Sequence, residues 1–162
     1  MKKWLFFGVV LIGIVSCSSP KEKLVKNLRS TIIKYMDANK GKSDKIDSIV
    51  ILDIDTLTPA SYMFLYQQSL QNKVEALGQQ QGQASESGND ELSESIAKES
   101  GKTLNKLDSC NKALENPSMD KSSVWGYFVI TKIYVKHPDN EVEVMDIGFP
   151  ITADFKVKEM DL

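Results

Sequence analysis

Histidine and cysteine are nearly absent from this chain: one His, His137, and two Cys, Cys17 and Cys110, in 162 residues. A catalytic dyad or triad built on imidazole has only His137 to use, and that residue precedes Pro138 in a predicted turn where a polar ring is solvated. A structural zinc site needs several nitrogen or sulfur ligands in fixed geometry, which one His and a distant Cys do not supply. Also missing are a Gly-x-Ser-x-Gly nucleophile elbow, a P-loop and a dinucleotide-binding glycine fingerprint. There is no cationic excess either, with 20 basic against 22 acidic side chains. That balance argues against nucleic acid, whose binding is dominated by cationic contacts to phosphate, and gives no polybasic patch for anionic lipid. The longest apolar run is short of the roughly 18 residues that a membrane-spanning helix requires.

What is present begins at the first residue. Lys2 and Lys3 are followed by twelve apolar or small residues, Trp4 to Val15, and then by Ser16-Cys17. A charged start, a short apolar stretch and a small residue before the cut are the parts of a bacterial export signal. The segment Ile14-Val15-Ser16-Cys17 resembles the lipobox of bacterial lipoproteins. That resemblance implies cleavage after residue 16 and acylation of Cys17 with palmitate-type chains. Two or three such chains hold a protein stably on a bilayer, at about 0.8 kcal/mol per buried methylene, where one chain holds it only marginally. Ser18 is not the aspartate that retains many lipoproteins of Gram-negative bacteria at the inner membrane, and residues 19–22 lack an acidic run. The resemblance thus implies outer-membrane attachment facing the periplasm.

Removing residues 1–16 leaves a domain of 146 residues, 17–162, with 18 basic and 22 acidic side chains. With Cys17 acylated, Cys110 has no disulfide partner, so stability must come from a packed core. Ser19-Pro20-x-Glu22 is a capping box with proline at the first helical position, and Leu24, Leu28, Ile32 and Met36 repeat at helical spacing after it. Lys45 to Thr58 reads as a strand, and Thr58-Pro59 starts a second helix with a stripe of Met63, Tyr66, Leu70, Val74 and Leu77. The tract 78–90 (GQQQGQASESGND) has no apolar periodicity and is expected to be a flexible tip. A third helix is expected from about Glu91 to Glu115, with Leu92, Ile96, Leu107, Cys110 and Leu114 on its inner face and the small Ser100 and Thr103 filling that face between them. Paired, the two helices form an antiparallel hairpin expected to stand roughly 30 Å tall.

Val124 to Lys136 is the strongest strand pattern, with Trp125, Tyr127, Val129, Ile133 and Val135 on one face and Val124, Phe128, Ile130 and Tyr134 on the other. Being apolar on both faces, it is expected to be central and covered twice. Glu141 to Ile147 returns after the turn at His137 to Asn140, Phe149-Pro150-Ile151 is expected to continue as an edge or bulge, and after a turn at Thr152 to Asp154 a fourth strand segment, Phe155 to Lys158, finishes the domain. The predicted fold class is α+β: an N-terminal helix on an antiparallel sheet of three to four strands, with a helical hairpin inserted between the first two. The element order, together with the lipobox residues Ile14 to Cys17, resembles the cystatin-like arrangement of many small lipoproteins of Gram-negative bacteria, although the cystatin inhibitory segment Gln-x-Val-x-Gly is absent.

Candidate chemistry is sparse. Asp53 and Asp55 share a strand face, with Asp47 nearby, and paired carboxylates can hold a hard cation or transfer protons. The favoured reading is a solvated strand end running into the Thr58 cap, because no third carboxylate is locally fixed. Cys110 lies on an apolar helical stripe, where a free thiol behaves as a small hydrophobe. Trp125, Tyr127 and Tyr134 are the candidates for ligand or partner contact, since aromatics with polar tips concentrate at binding surfaces, although ordinary sheet core is the favoured reading of all three. No catalytic residue, metal ligand or cofactor is assigned. The expected function is a non-enzymatic, lipid-anchored envelope protein that contacts another envelope protein. The alternative is a small-ligand module using an apolar concavity of the sheet.

Overall fold

Ser19 opens the first helix as the sequence predicts. Its hydroxyl accepts from the Glu22 amide at 3.2 Å, and the Glu22 carboxylate accepts from the Ser19 amide at 2.8 Å. Pro20 occupies the first turn, and α1 runs Pro20–Asn39. In this computed structural model, residues 19–41 and 44–160 are described; the signal segment, the lipobox and Cys17 lie outside the described residues. The order that follows is β1 (Lys45–Leu57), α2 (Pro59–Glu86), α3 (Asp90–Glu115), β2 (Gly126–Lys136) and β3 (Val142–Thr152). The architecture is α+β, with one antiparallel sheet in the order β1-β2-β3 and the helical pair between β1 and β2. The fourth strand segment shrinks to one bridge between Ile151 and Val157. No helix among the described residues is long and apolar enough to cross a membrane.

The register explains which side chains face inward. Ile46, Ile49, Ile51 and Ile54 of β1 pair with Val135, Ile133, Thr131 and Val129 of β2. These spacings are uneven because β1 carries two irregularities, at Asp47 and Leu52, which have no partner in the ladder. Each extra residue resets the two-residue alternation, so the isoleucines stay on one face despite their irregular spacing. On β3 the inward residues are Met145, Ile147, Phe149 and Ile151, opposite Ile133, Thr131, Val129 and Tyr127. Leu28 and Ile32 of α1, both fully buried, close this face and complete the main core. Thr131 is the buried polar member, and its hydroxyl donates to the Ile147 carbonyl at 2.9 Å. Pro150 sits on the edge strand, where its missing N–H removes no ladder bond.

β2 is central, but the expectation that it is covered twice fails. The hairpin leaves the sheet from the Leu57–Gly126 end instead of lying across its outer face. Trp125 donates its amide to the Leu57 carbonyl at 2.7 Å there, and its ring stacks on Tyr62 with centroids 3.9 Å apart. Among the described residues, one face of the sheet is therefore closed by α1 and the other is open.

The tract 78–90 also differs from expectation. Helix α2 continues through it to Glu86, and only Ser87, Gly88 and Asn89 turn, Gly88 in the left-handed region at φ 67°. The reason is a seam that steps by seven. Leu70, Leu77 and Ala84 are buried on α2, and Ile96, Thr103 and Cys110 on α3. Seven-residue spacing is the repeat by which two helices hold one seam against each other. Leu77, Ala84 and Ile96 form a cluster of their own, separate from the sheet core. Gly78 and Gly82 cost about 1 kcal/mol each relative to alanine, but the tract between them is glutamine and the next seam position is filled by Ala84. At about 1.5 Å per residue the 28-residue α2 is about 42 Å long, well beyond the height expected from the shorter stripes. Leu92, expected on the inner face of α3, is exposed.

Candidate functional site

The three aromatic candidates do not form one site. Trp125 begins a column of rings at the hairpin base, with Tyr62 stacked on it and Tyr66 stacked on Tyr62 at 6.3 Å and 6°. Tyr127 points inward, packs against the main core and stacks with Phe155 at 6.5 Å. Tyr134 lies on the opposite, outer face, between Ser48 of β1 and Val144 of β3.

Among the described residues no helix lies across that outer face. Reading across the three strands, its rows are Ser48–Tyr134–Val144, Val50–Lys132–Asp146, Asp53–Ile130–Gly148 and Asp55–Phe128–Pro150. Val50 is 42% exposed and Val144 51%, and the bulge turns Leu52 out to 53%. The Phe128 ring lies over Gly148, where a Cβ would run into it, so the glycine supplies a seat for the aromatic ring. Lys132 and Asp146 form an ion pair across the face at 3.8 Å. Aliphatic and aromatic side chains are thus interleaved with a few charges, a composition suited to a protein contact.

Asp53 and Asp55 do share this face, as their spacing predicts, and Asp47 sits at the first bulge. The Asp53 carboxylate accepts from the adjacent Ile54 amide at 2.8 Å. Among the described residues no group of three His, Cys, Asp or Glu side chains is placed to hold a metal ion. Cys110 is buried in the hairpin seam, where its thiol donates to the Met63 carbonyl at 3.3 Å and burial pushes its pKa up. A thiol so placed is a packing group with little thiolate at neutral pH.

His137 departs from its expected role as a solvated turn residue. Its Nδ1 lies 3.0 Å from Asp44 Oδ1 and its Nε2 3.1 Å from Glu143 Oε2, so the ring bridges the chain entering β1 to the start of β3. Hydrogen bonds to Asp44 and then Glu143 raise its pKa above the ordinary histidine value. The turn that carries it is closed by His137 and Glu141 at 2.9 Å, with Asn140 in the left-handed region at φ 70°. Glu143 is six residues away on the returning strand and follows from the hairpin; Asp44 is 93 residues away and has no sequence signal.

A groove of about 740 Å³ opens between α1, the base of α2 and the C-terminal segment. Tyr35, Tyr62, Met63, Tyr66 and Val157 to Glu159 line it. It is not the sheet concavity expected of a ligand module, because neither Trp125 nor Tyr127 lines it, although Trp125 stacks directly behind Tyr62. No protein-family model, no curated protein and no solved structure matches this chain.

Proposed function

We propose that this chain is a non-enzymatic, lipid-anchored protein of the cell envelope that docks a partner protein on the open face of its sheet. The observation that carries this reading is the contrast between the two faces: α1 closes one over a filled core, and the other presents Val50, Leu52, Phe128, Ile130, Tyr134 and Val144 with no helix of the described residues across them. Burying a fully exposed aliphatic side chain is worth about 1.5–3 kcal/mol, so Val50, Leu52, Val142 and Val144, each about half exposed, offer about 3–6 kcal/mol gross to a partner. Asp53 and Asp55 on the edge strand β1, and the Lys132–Asp146 pair within the face, set register and exclude mismatched surfaces. The acyl chains expected on Cys17 supply the address, at the outer membrane on its periplasmic side. Cys17→Ser should move the protein from the membrane pellet to the soluble fraction with its fold intact; retention in the pellet would remove the anchor from the account. Protease added to intact cells should spare the domain, and rapid digestion would reverse its facing.

The docking reading is tested by Leu52→Asp with Val144→Asp. Both positions are surface positions, so stability should change by no more than about 0.5 kcal/mol each, while co-purification of the partner from native envelopes is lost. Retention of the complex by this variant, with loss on substituting exposed Phe64 and Leu104, would move the contact to the hairpin. The aromatic lining of the 740 Å³ groove favours a second reading, a small-ligand module. Its sign would be a saturable change in Trp125 emission on adding an envelope small-molecule extract, abolished by Tyr62→Ala.

A further inference from the structure

The near balance of charge over the whole chain conceals a sharp segregation. Residues 20–40 carry six basic and two acidic side chains, whereas residues 41–162 carry twelve and twenty. Five of the six cations, Lys21, Lys23, Lys26, Arg29 and Lys34, are exposed on α1, and none makes an ion pair among the described residues. The two acids of the segment are already engaged, Glu22 in the capping box and Asp37 with Lys40 at 2.8 Å. At about 100° per residue, Lys23, Lys26, Ile33 and Lys34 fall on the side of α1 opposite the buried Leu28 and Ile32, with Arg29 on the flank and Lys21 exposed in line with the buried pair, two turns before it. Lys21, Lys26 and Arg29 also border a shallow concavity of about 460 Å³ beside Glu22 and Val25.

We propose that this outward face of α1 lies against an anionic phospholipid surface, so that the helix seats the anchored domain on the membrane. The inference rests on the acylation of Cys17 proposed above. Cys17 precedes Pro20 by three residues, which span no more than about 11 Å when fully extended. That reach is close to the screening length of about 8 Å at physiological salt, so the first turns of α1 lie within the field of the headgroups. Each Lys or Arg near such a surface adds about fivefold to partitioning onto it. The acidic remainder of the chain is repelled by the same surface. Attraction at α1 and repulsion elsewhere act as one torque, holding the sheet and hairpin away from the bilayer.

The test reconstitutes the full acylated protein with vesicles of phosphatidylglycerol or of phosphatidylcholine, isolates the vesicle-bound fraction by flotation, and labels lysine amines for mass spectrometry. On phosphatidylglycerol, Lys23, Lys26 and Lys34 should label at least threefold more slowly than on phosphatidylcholine, and about 1 M salt should erase the difference. Lys98, Lys102 and Lys121 should label alike on both. In the variant Lys23→Glu, Lys26→Glu, Arg29→Glu, whose sites are all exposed, the remaining Lys34 should lose its protection. Flotation with equal labelling of α1 on both lipids would overturn this proposal and leave the anchor standing. Failure to float on either lipid would overturn the anchor, and this proposal with it.

Discussion

Adjacent isoleucines on α1 offer a controlled test of how the sheet is closed. Ile32 is fully buried in the main core, whereas its neighbour Ile33 is 37% exposed on the other side of the helix. Ile32→Ala removes three carbons, a transfer loss of about 2.4 kcal/mol at about 0.8 kcal/mol each. The cavity left beneath Val129, Ile133 and Phe149 raises the total to about 3–4 kcal/mol. For a domain of this size each kcal/mol lowers the melting temperature by about 2–4 °C, so the expected fall is about 6–16 °C. Ile33→Ala makes the same chemical change where little is buried, and alanine is the better helix former by a few tenths of a kcal/mol. Its melting temperature should stay within about 2 °C of the parent. Thermal unfolding followed by circular dichroism compares the two directly. Equal shifts would mean that α1 does not close the sheet with this face, and both the open-face reading and the membrane seat of α1 would lose their geometry.

Three further outcomes follow from particular contacts. His137 has a folded pKa above its ordinary value, so its contribution to stability is complete below about pH 6 and is lost as pH rises through the raised folded value. Melting temperature measured from about pH 6 to pH 9 should therefore fall more in the parent than in His137→Gln, and parallel curves would discount the bridge to Asp44 and Glu143. Gly126 abuts the backbone of Ile151 and Thr152, which cannot swing aside as a side chain can, so Gly126→Ala should cost about 1–3 kcal/mol in denaturant unfolding. Ala84→Asp would place a charge in the cluster of Leu77 and Ile96; hydrogen exchange should lose protection over residues 77–97 while β2 keeps its own, because the two clusters share no residue.

The parts of the fold that were legible in the sequence are those with local chemistry. Ser19-Pro20-x-Glu22 and Thr58-Pro59 mark helix starts by short-range hydrogen bonding, and both form as their residues dictate. The inward face of β2 follows from alternation alone. The extent of the hairpin did not, because its seam is one residue in seven and half of its members, Ala84, Thr103 and Cys110, are small or polar. Burial there is set by the partner helix, which no local window contains. The same holds for His137, whose partner Asp44 becomes a neighbour only through the β1–β2 pairing. The open sheet face was hidden for another reason: Phe128, Ile130 and Tyr134 alternate as buried residues do, and only the direction in which the hairpin leaves the sheet decides that no helix of the described residues covers them. The basic face of α1 was masked by summing charge over the whole chain when the charges are divided by segment.

The central claim, that the open sheet face carries the contact, is tested most directly by placing a photo-reactive residue at single exposed positions in the native envelope. Val50, Leu52 and Val144 probe the sheet; Phe64, Leu92 and Leu104 probe the hairpin. All six are solvent-accessible, so none of the replacements disturbs a core. The account predicts one adduct of common mass from all three sheet positions, absent from the hairpin positions. An adduct formed only from the hairpin, or sheet positions that give none, would contradict it.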